Sequence, residues 1–146
     1  MQLKPLVRIT LTTLLLANVT LPIASEPAGP DSRISLGLTD AEKSEFLSEM
    51  RKMLVSVQGI IAGIGESDRE LIIRSARYSG NRMARETPES IKKKTPIAFK
   101  EIGGPTHMMF EELVIRAETD DMESLTSFTA ELMRQCTSCH EIFKAQ

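Results

Sequence analysis

Aromatic side chains are scarce in this sequence, which has five Phe, one Tyr and no Trp among 146 residues. A domain of this composition must build its core from aliphatic and Met side chains. The chain also lacks a basic stripe, and its formal net charge is −2. A mildly acidic protein of this kind is not expected to bind nucleic acid.

The N-terminus carries a long apolar run, residues 9 to 24, which follows Lys4 and Arg8 without any acidic residue. These features predict a secretory signal over residues 1 to 25, with cleavage after Ala24 or Ser25. The run has about sixteen residues, whereas a helix needs roughly twenty to span a bilayer. We therefore expect no stable membrane insertion after signal cleavage. The remaining chain has 16 basic and 20 acidic residues, a net charge of −4.

The most specific pattern is C-x-x-C-H at residues 136 to 140, near the C-terminus. It is typical of covalent c-type haem attachment, in which two thiols bond to the porphyrin and the adjacent imidazole coordinates the iron. On a helix, positions i, i+3 and i+4 share one face, so Cys136, Cys139 and His140 can all point at one flat cofactor. The sequence therefore predicts one covalent haem c with His140 as the proximal iron ligand.

Three other interpretations of these two cysteines are open. A thioredoxin-like redox dithiol needs a strand-to-helix turn, and no β alternation occurs near it. A zinc site needs four ligands, but the chain has only two Cys and two His, with His107 about thirty residues upstream. A disulfide between i and i+3 would close a very short loop and stabilise little. Haem attachment agrees best with export, because bacteria couple c-type haem outside the cytoplasmic membrane, and this predicts a periplasmic location.

Residues 26 to 38 contain two Pro and two Gly and are predicted as an irregular lead-in. Thr39 and Glu42 then form a capping box. It opens a helix whose apolar stripe recurs at steps of three and four, with Phe46, Met50, Met53, Val57, Ile60 and Ile64.

The later part of the chain predicts three more helices. A second capping box, from Ser67 to Glu70, opens the second helix, which runs to Met83. Residues 87 to 105 are predicted as a broken connector, with residues 92 to 94 as a solvated lysine face. Thr106 caps the third helix, and the fourth runs from residue 122 to 143. Four apolar side chains of the connector are expected to pack it against the helix bundle: Ile91, Ile97, Phe99 and Ile102. The predicted fold is an all-α, antiparallel four-helix bundle over residues 39 to 146, with a covalently attached haem.

A single C-x-x-C-H near the end of an exported, all-helical chain resembles the cytochrome c prime family, whose members are four-helix bundles. The resemblance covers about residues 40 to 146, and residues 136 to 144, Cys-Thr-Ser-Cys-His-Glu-Ile-Phe-Lys, are its most specific part. It implies that Cys136 and Cys139 carry the thioethers and that His140 is the proximal ligand. Lys144 stands where the family usually has Arg near the proximal face.

The resemblance also implies a choice on the distal side of the iron, where family members have either an apolar residue or a Met from the first helix. Met50 is the favoured sixth ligand here, with Arg51 and Lys52 as partners for the haem propionates. A slip by one turn would place Met53, Leu47 or Leu54 there instead. A Met on an apolar stripe is often only core filler. His107 is a weaker alternative, expected as a surface or capping group at the start of the third helix.

Two functions follow from this choice. Ligation by Met and His suits a periplasmic electron carrier that serves redox partner proteins. A vacant or weakly held sixth position suits a module that binds nitric oxide or carbon monoxide. Neither needs a general base or a nucleophile and none is evident, so we predict no enzymatic activity. A homodimer through the first two helices is an arrangement that the resemblance allows.

Overall fold

The structure, a computed structural model, describes residues 29 to 146. The predicted signal over residues 1 to 25 lies outside them. Residues Ser32–Gln146 form one compact unit. The described chain has six helices and two strands of two residues each, so the all-α fold class is confirmed. None of the helices in this part of the chain combines the length and apolarity that a membrane span needs.

Helix α1 (Asp40–Glu66) begins at the predicted capping box. Glu42 N donates to the Thr39 hydroxyl, and Thr39 N donates to the Glu42 carboxylate at 2.9 Å, so two free helix-end donors are satisfied. The helix ends at Ser67, which takes a left-handed conformation with φ of 57°. Ser67 therefore caps the C-terminus of α1, and our assignment of it as the next N-cap was wrong.

Asp68 opens helix α2 (Arg69–Tyr78) instead, accepting a hydrogen bond from Leu71 N at 2.9 Å. The predicted second helix does not continue to Met83, because it breaks at Ser79 and Gly80 before a short helix α3 (Asn81–Glu86). A further short helix α4 (Glu89–Lys94) follows, where we predicted a broken connector.

Helix α5 spans Ile97–Thr119. We predicted a connector up to residue 105 and a helix capped at Thr106, and this prediction was wrong. The helix runs through Gly103, Gly104 and Pro105 without a break. Pro105 has no N–H to donate, and the Thr106 hydroxyl donates to Ile102 O at 2.8 Å one turn back. Thr106 is thus a buried residue inside α5 and not its cap. Of the expected connector anchors, Ile91 is buried but Ile97 is 74% exposed.

Helix α6 (Met122–Ile142) is capped by Asp121 and carries the C-x-x-C-H run in its last two turns. We predicted that this helix continues to Phe143, but it ends at Ile142. Phe143 begins strand β2 (Phe143–Lys144), which pairs in parallel with β1 (Ile34–Ser35). The lead-in over residues 26 to 38 is therefore not wholly irregular.

The four longer helices share one core. Helix α1 packs against α2 and α6, and α5 packs against the same two helices. We call their buried apolar side chains the main core: Val57, Ile60, Ile72, Ala76, Phe110, Leu113, Val114, Ala117, Leu125 and Leu132.

A second apolar group, the small cluster, lies where α1, α4, α5, α6 and the two strands meet. Its buried members are Leu36, Phe46, Ile91 and Phe143. Partly buried residues pack against them: Leu38, Met50, Phe99, Ile102, Cys139 and Ala145. The last turn of α6 therefore packs against the small cluster and not against the main core.

Candidate functional site

The predicted attachment residues lie on one face of the end of α6. Cys136 and Cys139 are both half-buried, and neither is part of a disulfide. The Cys136 thiol lies 3.9 Å from Leu132 O, one turn back, whereas Cys139 packs against the small cluster. His140 follows directly and is exposed. The helix thus presents two free thiols and an accessible imidazole together.

Burial raises the pKa of the Cys136 thiol above its ordinary value. Burial also raises the pKa of Cys139, and the neighbouring Cys136 adds to this effect. Both groups are therefore neutral thiols near pH 7, since a free thiol already has a pKa above 8. The neutral thiol form is less reactive than the thiolate.

Met50 lies in the same small cluster as Cys139. It is half-buried on α1, one turn after Phe46. Two other candidates from the first helix lie elsewhere: Met53 packs against the main core, and Leu54 is 59% exposed. The third, Leu47, is half-buried on α1 and belongs to neither apolar group. Of the two methionines on the predicted stripe, Met50 packs against the same cluster as Cys139, a predicted attachment residue, whereas Met53 packs against the main core.

Three Phe rings form the aromatic part of the small cluster. The Phe99 ring lies 5.8 Å from Phe46 and 5.5 Å from Phe143, measured between ring centroids. The second pair meets edge to face at 75°, a favoured aromatic geometry. Three of the chain's six aromatic residues are thus gathered beside Met50 and Cys139, next to the predicted haem site.

His107 is not at a helix start, as we expected, but in the interior of α5. Its Nδ1 lies 2.8 Å from Ser79 O, at the break between α2 and α3. Nδ1 must carry the proton to donate to that carbonyl. This hydrogen bond gives His107 a structural role in holding the α2 to α3 junction.

The basic residues suggested by the resemblance are spread around the site. Lys144 is half-buried in β2, so it does not lie one helical turn after His140, because α6 ends at Ile142. Arg51 and Lys52 are exposed on α1. The structure adds Arg33, whose Nη1 donates to His140 O at 3.3 Å. No local pattern in the sequence marks Arg33, because 107 positions separate it from His140.

The residues present fit a covalently bound haem. The donor set is two half-buried thiols and one exposed imidazole on a single helical face, with a Met thioether in the adjoining apolar cluster. Among the described residues, no three His, Cys, Asp or Glu side chains converge into a metal site. The zinc interpretation therefore lacks a ligand set in this part of the chain.

Comparison with known proteins adds no relative. No protein-family model, curated protein or solved structure matches this chain.

Proposed function

We propose that this protein is an exported c-type cytochrome, similar to the cytochrome c prime family, that carries single electrons in the periplasm. The observation that carries the proposal is the C-x-x-C-H run on one face of α6, with both thiols free and half-buried. The haem would supply one-electron chemistry by cycling between ferric and ferrous iron.

In this proposal Cys136 and Cys139 attach the cofactor. Each thiol adds across one vinyl group, so that sulfur bonds to one vinyl carbon and the thiol hydrogen moves to the other. The addition would need no oxidant. His140, next along the helix, would hold the iron from the proximal side through its exposed ring.

The helix contacts support the antiparallel four-helix bundle included in this proposal. Helices α1, α2, α5 and α6 contact one another in a closed ring, α1 to α2 to α5 to α6 and back to α1. Short connections link α1 to α2 and α5 to α6. Short loops favour antiparallel neighbours, as in other bundles.

Met50 is the proposed sixth ligand, because it shares the small cluster with Cys139. Together with His140 it would keep the iron six-coordinate. Ligation by both raises the reduction potential, and the Phe46, Phe99 and Phe143 side chains around them would help to exclude water.

The proposal includes redox partner proteins and a homodimer, and it assigns no catalytic residue. Leu54, Val55 and Ile61 are apolar side chains exposed on α1, and pairing through this helix would cover them. Sedimentation at micromolar concentration tests the dimer, and a monomer throughout would remove it.

The first experiment tests attachment. The mature protein is expressed in the periplasm of a bacterium that makes c-type haem, and its mass and its colour after acid-acetone extraction are measured. We expect the mass of the chain plus one haem, with the colour retained. The double variant C136A/C139A should lose both, whereas the control Ser138→Ala keeps them. A parent protein with the mass of its amino acids alone would refute the proposal.

The second experiment tests the sixth ligand by absorption spectroscopy. We expect Met50→Ala to abolish the Met-to-iron charge-transfer band near the red end of the ferric spectrum, and Met53→Ala to leave it intact. A spectrum unchanged by Met50→Ala would remove Met50 from the site. A broad high-spin band in the reduced parent, with rapid carbon monoxide binding, would favour the gas-binding module over the electron carrier.

A further inference from the structure

The segment that precedes α1 lies along the residues that follow the C-x-x-C-H run. We call residues 33 to 37 the strap. Within it, β1 pairs with β2 so that Ile34 lies opposite Phe143 and Ser35 lies opposite Lys144. The contact thus begins three residues after His140.

The strap is fastened by several hydrogen bonds. Leu36 N donates to Lys144 O at 3.1 Å, and Gly37 N donates to Gln146 O at 3.0 Å. The Ser35 hydroxyl also donates to Gln146 O. Leu36 is only 4% exposed, within the small cluster that contains Cys139. The burial of Leu36 and the backbone pairing therefore hold the strap against the same end of α6 that carries Cys139.

Arg33 extends this contact to the ligand residue itself. The last carbonyls of a helix lack intrahelical donors, and basic side chains near a helix C-terminus can supply them. Arg33 Nη1 does so for His140 O, at 3.3 Å. Its positive charge also complements the negative end of the α6 dipole. A residue before the first helix thus contacts the backbone of the predicted proximal ligand.

We infer that the strap positions the proximal side of the haem site, with Arg33 as a positioning residue for His140. The inference rests on the proposed haem attachment. By fixing the end of α6, the strap holds the backbone from which the imidazole projects. The guanidinium charge next to that backbone disfavours the more positive ferric state and so favours reduction.

Gly37 offers a way to open the strap without a clash. Its φ is +61°, and an added Cβ would meet no atom within 4 Å. A β-branched residue at a left-handed position costs roughly 1 to 2 kcal/mol, through backbone conformation alone. Gly29 lies before the strap, and its added Cβ is equally free of neighbours, so Gly29→Val is the matched control for Gly37→Val.

The first measurement is amide hydrogen exchange in the full mature protein. In Gly37→Val we expect the Leu36 and Phe143 amides to exchange about fivefold to thirtyfold faster than in Gly29→Val. This readout does not depend on electron transfer. Equal rates in the two variants would overturn the inference.

The second measurement is the equilibrium constant for reduction by a fixed redox couple. We expect Arg33→Gln to lower it by about twofold to fivefold, the size of a screened surface interaction, and Arg33→Lys to restore most of the loss. The control Arg82→Gln removes an exposed charge on α3, paired with Glu86, and should have no effect.

The two proposals fail in different ways. A parent protein without covalent haem refutes the proposed function and leaves His140 no iron to bind, which overturns the inference as well. A protein that binds haem but shows the same reduction equilibrium in Arg33→Gln and Arg82→Gln overturns the inference alone. If Gly37→Val does not fold, the Arg33 variants decide.

Discussion

The main core and the small cluster are built from different side chains. In the main core, Ile60, Leu113 and Leu132 have no solvent exposure, and nine of its ten buried members are aliphatic. The small cluster has four buried residues, and a larger number that are only partly buried pack against them, including Met50 and Cys139. Full burial of aliphatic groups gives the largest stabilisation, about 25 cal/mol per Å² of apolar surface.

This difference bears on where the haem of the proposed function would be accommodated. A close-packed core tolerates no added volume without strain. The partly buried Met50, Phe99 and Cys139 side chains have solvent on one side, so they can move apart at a smaller energetic cost. The main core thus holds the helices together, and the small cluster is the region that we expect to adapt to a bound group.

Truncating one aromatic ring in each region provides the largest expected contrast. Phe110→Ala should lower the free energy of unfolding by about 3 to 5 kcal/mol, because the ring is fully buried in the main core. Phe99→Ala should cost only about 1 to 2 kcal/mol, since its ring is partly exposed and loses mainly two aromatic contacts. Urea unfolding followed by circular dichroism measures both, and equal losses would contradict the contrast.

Two glycines in the last turn of α1 test how closely the main core is packed. A Cβ at Gly63 would lie 2.7 Å from an Ile72 side-chain carbon and 2.9 Å from Asp68 O. Gly63→Ala should therefore destabilise the fold by about 1 to 3 kcal/mol. Gly65→Ala meets nothing within 4 Å and should stabilise it by up to about 1 kcal/mol. Thermal unfolding of both variants checks the opposite signs.

Acid should loosen the small cluster through Glu42. Its carboxylate binds the Lys94 ammonium, which holds α4 and its buried Ile91 against α1. This ion pair, together with the hydrogen bond from the Thr39 amide, lowers the Glu42 pKa from 4.5 to about 2. Because the pKa is lower in the folded state, the stabilisation is complete well above pH 4.5 and is lost as the pH falls towards 2.

The acid effect is measured by amide exchange at Ile91 and Thr95 between pH 6 and 2.5, corrected for intrinsic rates. We expect Glu42→Gln to remove most of the extra pH dependence, whereas Glu118→Gln on α5 keeps it. A pH profile that Glu42→Gln leaves unchanged would assign the acid sensitivity to other carboxylates.

Local patterns predicted much of this fold. The Thr39 capping box and the three-four apolar spacing located α1, and the same spacing located α6 with its motif. These signals depend on residues within a few positions of one another, so they can be read without the tertiary structure. For the same reason Cys136, Cys139 and His140 could be placed together on one helical face.

The wrong predictions arose where tertiary contacts override local preference. Gly103, Gly104 and Pro105 favour a break, but burial of Thr106 and Phe110 and packing of Phe99 keep α5 continuous. Ser67 satisfies the N-cap pattern, yet it is needed to end α1. The β1 to β2 pair involves only two residues on each strand, too few to produce a detectable alternation.

The strap also bears on the order of folding. The residues it joins are more than a hundred positions apart, so loop closure makes this pairing slow to form relative to the contacts between neighbouring helices. The partner of β1, strand β2, follows all the other described elements along the chain. We therefore expect the end of α6 to stay open while the helices pack, which leaves Cys139, a neighbour of the same small cluster as Leu36, accessible until the strap pairs with β2.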